Sequence, residues 1–174
     1  GRGGVSIGRG NIAPVGTTYR LGNLATTYGN TNLFTLNSAD TPLSGANNSL
    51  VVSGNGGQVV ISSTLSTYKG STTVNPGASL RYDGNIDLIG GGPGVRDILV
   101  GAGGAFVRSG GSVNNAFLQR LVETSNAFTI YMGNASNGNS LDFSGTNGGA
   151  YLPNASIAFY DSAGTGTFQY TGTI

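Results

Sequence analysis

The chain offers few residues that could carry out catalysis. It contains neither His nor Cys, which excludes His-dependent triads, thiol nucleophiles and zinc sites built on these ligands. Paired carboxylates remain possible, as in glycosidases. Asp83 and Asp87 are the closest acidic pair in the sequence, with Arg81 and Arg96 nearby. Because the seven acids are spread over 174 residues, we interpret these four as solvated corner residues and predict no catalytic residue.

Glycine-rich segments could in principle bind a metal or a phosphate. Residues 90–97 read Gly-Gly-Gly-Pro-Gly-Val-Arg-Asp, which partly matches a calcium-binding repeat with the pattern Gly-Gly-x-Gly-x-Asp. The Asp falls one position late and the motif occurs once. Residues 101–104, Gly-Ala-Gly-Gly, open no helical pattern, so they do not predict a dinucleotide-binding loop. We therefore predict no cofactor and no metal, and interpret these segments as sharp corners.

Two further residue classes could bind partners. Asn47, Asn134 and Asn154 each begin an Asn-x-Ser glycosylation sequon. Tyrosine rings could stack on sugars or anchor protein contacts, and eight are present: Tyr19, Tyr28, Tyr68, Tyr82, Tyr131, Tyr151, Tyr160 and Tyr170. The alternative, which we favour, is that most of these rings pack at corners with the hydroxyl in water.

Composition indicates a folded chain with little charge. Gly, Asn, Ser and Thr make up 86 of the 174 residues, yet the chain still carries 42 Leu, Ile, Val and Phe, more than disordered chains contain. The net charge is +1 and the cations are scattered from Arg2 to Arg120, so no nucleic-acid partner is predicted. No apolar run reaches the ~20 residues needed to span a bilayer. Because the first residue is Gly1, we expect an internal or processed segment.

Short apolar clusters recur along the chain roughly every 8 to 16 residues. Several alternate apolar and polar residues, the pattern of a strand with one buried face; examples are Thr72-Thr73-Val74, Leu80-Arg81-Tyr82, Ile98-Leu99-Val100 and Ala105-Phe106-Val107. Such spacing is shared by sandwiches, barrels and solenoids. Strands of about three to four residues and corners rich in Gly and Asn favour a solenoid of stacked coils over a sandwich.

One segment departs from the strand pattern. Phe117, Leu118, Leu121 and Val122 recur at helical spacing. Ser112 or Asn114 could serve as the N-cap of such a helix. We predict one short helix near residues 114–123, laid against the stack. Two strands with a tight bend would give the same pattern.

Residues 59–84 contain a recognisable order of motifs. An apolar strand at Val59–Ile61 is followed by Tyr68-Lys69-Gly70, then Thr72-Thr73-Val74, Gly77 and the closing strand Leu80–Tyr82. This order and spacing resemble the autotransporter-associated β-strand repeat, also called the passenger-associated transport repeat. The match covers about one repeat, and the usual Ser-Gly-Ala-Asn lead-in is missing before it. The resemblance implies a right-handed parallel β-helix in the exported part of a large bacterial surface or secreted protein, without an active site.

Together these observations predict an all-β fold: residues 1–174 form a single β-solenoid segment of a longer repetitive chain. We expect a non-enzymatic, extracellular or cell-surface scaffold that acts in adhesion. Its partners would be neighbouring repeats, surface glycans or further copies of itself, and this segment would not insert into a membrane. Edge strands without a charged cap offer unpaired backbone groups for end-to-end stacking into fibres, and the candidate edge residues are Val5, Ile7, Phe168 and Tyr170.

Two alternatives remain open. One is a β-helix polysaccharide-processing enzyme or a glycan-binding phage tailspike, which requires Asp83, Asp87, Arg81 and Arg96 to converge in a groove. The other is a flat Thr and Asn array that binds ice or glycan, which requires outward-facing Thr residues to align on one face.

Overall fold

A computed structural model of the chain describes residues 4–7, 12–24, 33–36, 43–55, 57–62, 65–82, 88–92, 95–102, 104–108, 120–123, 129–132 and 156–159. Twelve strands lie in these ranges. They are β1 Gly4–Ile7, β2 Thr18–Leu24, β3 Leu33–Leu36, β4 Ser49–Asn55, β5 Gln58–Ile61, β6 Thr72–Val74, β7 Ser79–Tyr82, β8 Ile98–Val100, β9 Ala105–Arg108, β10 Leu121–Glu123, β11 Thr129–Met132 and β12 Ser156–Phe159. Most have the predicted length of three or four residues; β2 and β4, with seven each, are longer.

The strands form two parallel sheets. The seven-stranded sheet has the order β1-β3-β5-β7-β9-β11-β12, and the five-stranded sheet has the order β2-β4-β6-β8-β10. From β1 to β11 the chain therefore passes from one sheet to the other at every step. We call each consecutive pair, from β1 and β2 to β9 and β10, a rung. Every strand pairing within these sheets is parallel, so the antiparallel sandwich that the spacing also allowed is not what the described strands form.

Apolar side chains align from rung to rung because the strands pair in register. Phe34, Val59, Leu80 and Phe106 occupy one column of the seven-stranded sheet. Leu21, Val52, Val74 and Val100 occupy a column of the five-stranded sheet. Apart from the partly buried Phe34, all of these side chains belong to one buried cluster that both sheets share. Alternation of apolar and polar residues thus places the apolar residues between the sheets.

The rungs differ in length although their strands stay in register. Gln58 pairs with Ser79, 21 positions later, whereas Thr18 pairs with Ser49, 31 positions later. The extra residues lie in the connections between strands. Glycines at positive φ occur in several connections, as the glycine-rich corners predicted: Gly16, Gly45, Gly77, Gly90 and Gly92. Gly54, next to the last residue of β4, also has a positive φ.

The predicted helix near residues 114–123 is wrong at its C-terminal end: Arg120 is helical, but the three residues that follow it are not. Leu121, Val122 and Glu123 form β10, which pairs with Ile98, Leu99 and Val100 of β8. Helical spacing over so few residues does not distinguish a helix from a strand, and the backbone edge of β8 provides hydrogen-bond partners that favour the strand. Residues 114–119 lie outside the described residues.

Candidate functional site

The sheet edges are the first candidate site. Val5 and Ile7 lie on β1, which pairs with β3 and ends the seven-stranded sheet within the described part of the chain. At the other end of that sheet lies β12, and β2 and β10 end the five-stranded sheet. Phe168 and Tyr170, the other predicted edge residues, lie outside the described residues. An edge strand presents backbone N–H and C=O groups that another strand can pair with.

The interior next to β2 is covered even though β2 is an edge strand. Tyr19 and Leu21 are only 4% and 7% exposed, and the partly buried Ile12 packs against the core cluster to which they belong. The Tyr19 hydroxyl donates to the Ser44 carbonyl oxygen at 2.9 Å and accepts from the Ser44 N–H at 3.2 Å. What this edge presents is therefore backbone, and not an open apolar core.

A buried ion pair between Asp97 and Arg120 is the most polar feature of the described core. The residues are 8% and 1% exposed. Arg120 Nε donates to Asp97 Oδ1 and Nη2 donates to Asp97 Oδ2, each at 3.0 Å. The backbone N–H of Gly91 donates to the same Oδ2 at 2.6 Å. This bidentate geometry lets a planar guanidinium satisfy a carboxylate at two points.

Strand register brings the two charged residues together. Leu121 pairs with Ile98, and Arg120 and Asp97 come directly before these two residues in the sequence. The connection before β8 must also leave room for Asp97 and Arg120 to lie next to each other. Gly90 has a φ of 61°, and a Cβ at this position would collide with Asp97 Oδ2 and lie 2.6 Å from Arg120 Nη2. Only glycine fits this corner without strain.

Arg120 also continues a line of hydrogen bonds that runs between rungs. The Tyr68 N–H donates to the Leu43 carbonyl oxygen at 3.1 Å, and in the next rung the Gly90 N–H donates to the Tyr68 carbonyl oxygen at 2.7 Å. Arg120 Nη2 then donates to the Ile89 carbonyl oxygen at 2.9 Å. The guanidinium therefore supplies a donor where the two preceding rungs use backbone N–H groups.

Tyr68 lies next to this corner and is fully buried. Its hydroxyl shares a hydrogen bond of 2.6 Å with the Thr72 hydroxyl. Burial raises the pKa of the Tyr68 hydroxyl far above its ordinary value, and the bond to Thr72 offsets this only in part. The hydroxyl is neutral at every pH near neutrality, so it serves as a structural hydrogen-bonding group.

The described tyrosines differ from the surface roles that the sequence suggested. Tyr19, Tyr68 and Tyr82 are all buried, so neither a sugar-stacking platform nor a corner ring with its hydroxyl in water describes them. The hydroxyls of Tyr19 and Tyr68 bond to protein groups instead. The side chains of the other five tyrosines lie outside the described residues.

The residues of the enzyme alternative are only partly described. Asp83 and Asp87 lie outside the described residues. Arg81 is half-buried on β7, and Arg96 is exposed in the segment before β8. Asp97, considered above only as a misplaced calcium ligand, is instead the partner of Arg120. Of the sequons, Asn47 is exposed, whereas Asn134 and Asn154 lie outside the described ranges.

The outer column of the five-stranded sheet tests the idea of a threonine array. Arg20, Val51, Thr73 and Leu99 are in register along it, and all four side chains are at least partly exposed. Only one of them is Thr. The aligned Thr array predicted by the ice- or glycan-binding alternative is therefore not formed on this described face.

Asp97 and Arg120 are the residues that sequence reasoning missed. Two features of the sequence could have indicated the pair: each residue directly precedes an apolar strand, and their charges are opposite. Using these features requires knowing that β8 pairs with β10, and a predicted helix over residues 114–123 leaves no strand there to pair.

Comparison of the chain with models of known protein families, with curated proteins and with solved structures gives no match in any of the three. Among the described residues, no helix is long and apolar enough to span a membrane. The same residues contain no group of three or more acidic, His or Cys side chains placed to hold a metal ion.

Proposed function

We propose that this chain is a right-handed parallel β-helix that serves as a non-enzymatic extracellular scaffold. The observation that carries the proposal is the regular alternation of β1 to β11 between two parallel sheets. A chain that winds around one core produces this order, because each rung adds one strand to each sheet. The apolar columns, which are in register from strand to strand, also support a chain that winds around one core.

A scaffold of this kind acts through length and repetition. Each rung contacts mainly its neighbours, so the number of rungs can increase while the packing inside each rung stays the same. Side chains on the outer columns then repeat at the strand spacing of ~4.8 Å, which suits many weak contacts with a glycan surface or with other copies. The resemblance of residues 59–84 to the passenger-associated transport repeat supports an exported, surface-displayed setting. It also supports the adhesive role.

Self-association at the sheet edges belongs to the proposal. Strand β1, with Val5 and Ile7, pairs with β3 and has no second neighbour among the described strands. A strand from another copy could extend the sheet there through backbone hydrogen bonds. We expect rods or fibres in which copies stack end to end.

The solution state of the 174-residue chain tests this function. We expect sedimentation velocity to show species that grow with protein concentration, and electron microscopy to show rods of uniform width. A monodisperse monomer at all concentrations would contradict the self-association.

Proline substitution identifies the edge involved. Successive residues of a parallel strand direct their N–H groups to opposite neighbours, so of Val5→Pro and Ser6→Pro one removes a donor that faces away from β3. That variant should abolish association while the far-ultraviolet circular dichroism spectrum is retained, since proline is tolerated on the free side of an edge strand. Association unchanged in both variants would show that β1 is not the edge used.

A further inference from the structure

The free edge of β2 in the five-stranded sheet is partly occupied by the chain itself. Val15 and Thr18 form an antiparallel bridge. The Val15 N–H donates to the Thr18 carbonyl oxygen at 3.0 Å, and the Thr18 N–H donates to the Val15 carbonyl oxygen at 3.1 Å. Gly16 has a φ of 61°, as the first central residue of a two-residue hairpin turn requires. The segment before β2 therefore folds back onto the strand that ends the sheet.

This bridge lies on the side of β2 that faces away from β4. The Ser49 N–H donates to the Thr17 carbonyl oxygen at 2.8 Å, so that carbonyl group points towards β4. The Thr17 carbonyl and the Thr18 N–H belong to one trans peptide bond, and the two groups of such a bond point in opposite directions. Val15 therefore bonds to Thr18 where the strand of a further rung would otherwise pair.

Residues 12–17, which we call the end cap, also cover the interior at this end. Ile12 packs against the core cluster that contains Tyr19 and Leu21. Val15, in contrast, is 77% exposed, so its side chain lies outside the core. The contribution of Val15 to this end of the stack is therefore its pair of backbone hydrogen bonds with Thr18.

The corresponding connection in the next rung uses its backbone differently. Thr18 and Ser49 are in register, so the residues before β4 correspond to the end cap. There the Asn48 carbonyl oxygen accepts from the Gly70 N–H at 2.7 Å, and Gly70 belongs to the following rung. This inner connection joins one rung to the next, whereas the end cap occupies an edge.

We infer that the end cap is an autoinhibitory contact, which competes with a second copy of this chain for the β2 edge. This inference rests on the self-association proposed above and concerns which edges take part in it. While the end cap is closed, the backbone groups of Thr18 are already bonded. When it opens, they become free to pair with a strand of another copy, and the five-stranded sheet can then continue into that copy as well.

Gly16→Val opens the end cap. A β-branched residue is strained at a φ of 61°, and nothing lies within 4 Å of an added Cβ at Gly16, so the strain acts on the turn. We expect sedimentation velocity to show association at a concentration at least about fivefold lower than in the wild type, because two more backbone groups can form hydrogen bonds with a second copy.

Arg20→Pro blocks the opened edge again. Backbone groups alternate in direction along a strand, so the Arg20 N–H lies on the same free side as that of Thr18, and proline is tolerated on that side of an edge strand. The double variant Gly16→Val with Arg20→Pro should associate no more readily than the wild type. Nonspecific aggregation of a loosened chain would not be suppressed in this way.

The matched control is Gly77→Val. Gly77 has a φ of 71°, so valine is strained there too, but it lies between β6 and β7, which each pair with a strand on both sides. This variant should lose stability without associating more readily than the wild type. Circular dichroism of every variant checks that the fold is retained.

The outcomes separate the two proposals. If the wild type associates, and Gly16→Val associates no more readily than Gly77→Val or is unaffected by Arg20→Pro, the end cap is overturned and the self-association stands. If the wild type stays monomeric, while Gly16→Val associates and the double variant does not, the self-association of the native chain is overturned and the end cap is supported. Monomers in every case overturn both.

Discussion

Arg120 is buried although it carries a full charge, and three acceptor contacts explain how this is possible. Two go to Asp97 and one goes to the Ile89 carbonyl oxygen. A buried ion pair gains little net stability over an apolar pair, but breaking it leaves an uncompensated charge in the core. We therefore expect the pair to specify which rung lies next to which, more than to add to the total stability.

Arg120→Met should lower the free energy of unfolding by about 3–5 kcal/mol, because Asp97 would lose its buried counter-charge. Arg120→Lys should retain only part of the unfolding free energy that Arg120→Met loses, since an ammonium group cannot form the bidentate contact with Asp97. Urea unfolding measures both. Arg20→Met, at an exposed arginine on β2, is the control and should change stability by less than about 0.5 kcal/mol. A buried-site variant as stable as the control would rule out this role for Arg120.

Gly90→Ala tests the corner that admits the ion pair. The new methyl group would collide with Asp97 Oδ2 at a φ of 61°, so we expect a loss clearly larger than the ~1 kcal/mol typical of alanine at positive φ. Gly16→Ala is a matched control, because Gly16 also has a φ of 61° but nothing lies within 4 Å of its added Cβ. Equal losses of unfolding free energy in the two variants would show that the collision contributes nothing.

Tyr68 should make stability depend on alkaline pH. Its pKa in the folded chain is raised by burial above the value of about 10 that an unfolded chain has. The contribution of Tyr68 to stability is therefore fully present below about pH 10 and is lost as the pH rises above that value. The slope for one group is about 1.4 kcal/mol per pH unit.

Tyr68→Phe should flatten that decline, and the double variant with Thr72→Val should do so without leaving the Thr72 hydroxyl unpaired. Urea unfolding between pH 8 and pH 11 gives the comparison. A decline above pH 10 that is as steep in Tyr68→Phe as in the wild type would contradict the assignment to Tyr68.

At the scale of single elements, strand β7 shows how alternation divides the two sides of a sheet. Leu80 is fully buried, whereas the neighbouring Ser79 is partly exposed. Leu80→Ala should cost about 2–5 kcal/mol of unfolding free energy, because it leaves a cavity in the column shared with Val59 and Phe106. Ser79→Ala should cost only about 0.5–1.5 kcal/mol, because it removes the hydrogen bond that Gln58 Nε2 donates to Ser79 Oγ. Losses of the same size in both would mean that Leu80 does not face the core.

Much of the strand pattern could be predicted from sequence, because local alternation encodes which side of a strand is buried. Thr72–Val74 and Leu80–Tyr82 are strands as predicted. Leu121–Glu123 could not be assigned in this way, since its short apolar pattern fits a helix equally well and its partner β8 lies more than 20 residues away. The Asp97–Arg120 pair was hidden for the same reason. Which residues lie side by side on β8 and β10 depends on the register in which the two strands pair. Local sequence does not specify that register.

At the scale of the whole molecule, the described strands form one stack of rungs. Two parallel sheets share one core, and the chain alternates between them from β1 to β11. In the function proposed above, such a stack would extend when a further copy pairs with a sheet edge.

Introduced cysteines test directly whether successive rungs stack in register, because the chain has no cysteine of its own. Val51 and Thr73 are in-register partners on β4 and β6, whereas Leu99 lies one strand further along the same column. Strands one step apart are ~4.8 Å apart, within the Cα separation of about 4.4–6.8 Å that a disulfide needs, and strands two steps apart exceed it.

The measurement is the extent of intrachain disulfide formation in the folded protein under mild oxidation, read by non-reducing electrophoresis and mass spectrometry. We predict that Val51→Cys with Thr73→Cys closes a disulfide nearly completely and that Val51→Cys with Leu99→Cys does not. Equal cross-linking of the two pairs, or none in the first pair, would contradict the stacked arrangement.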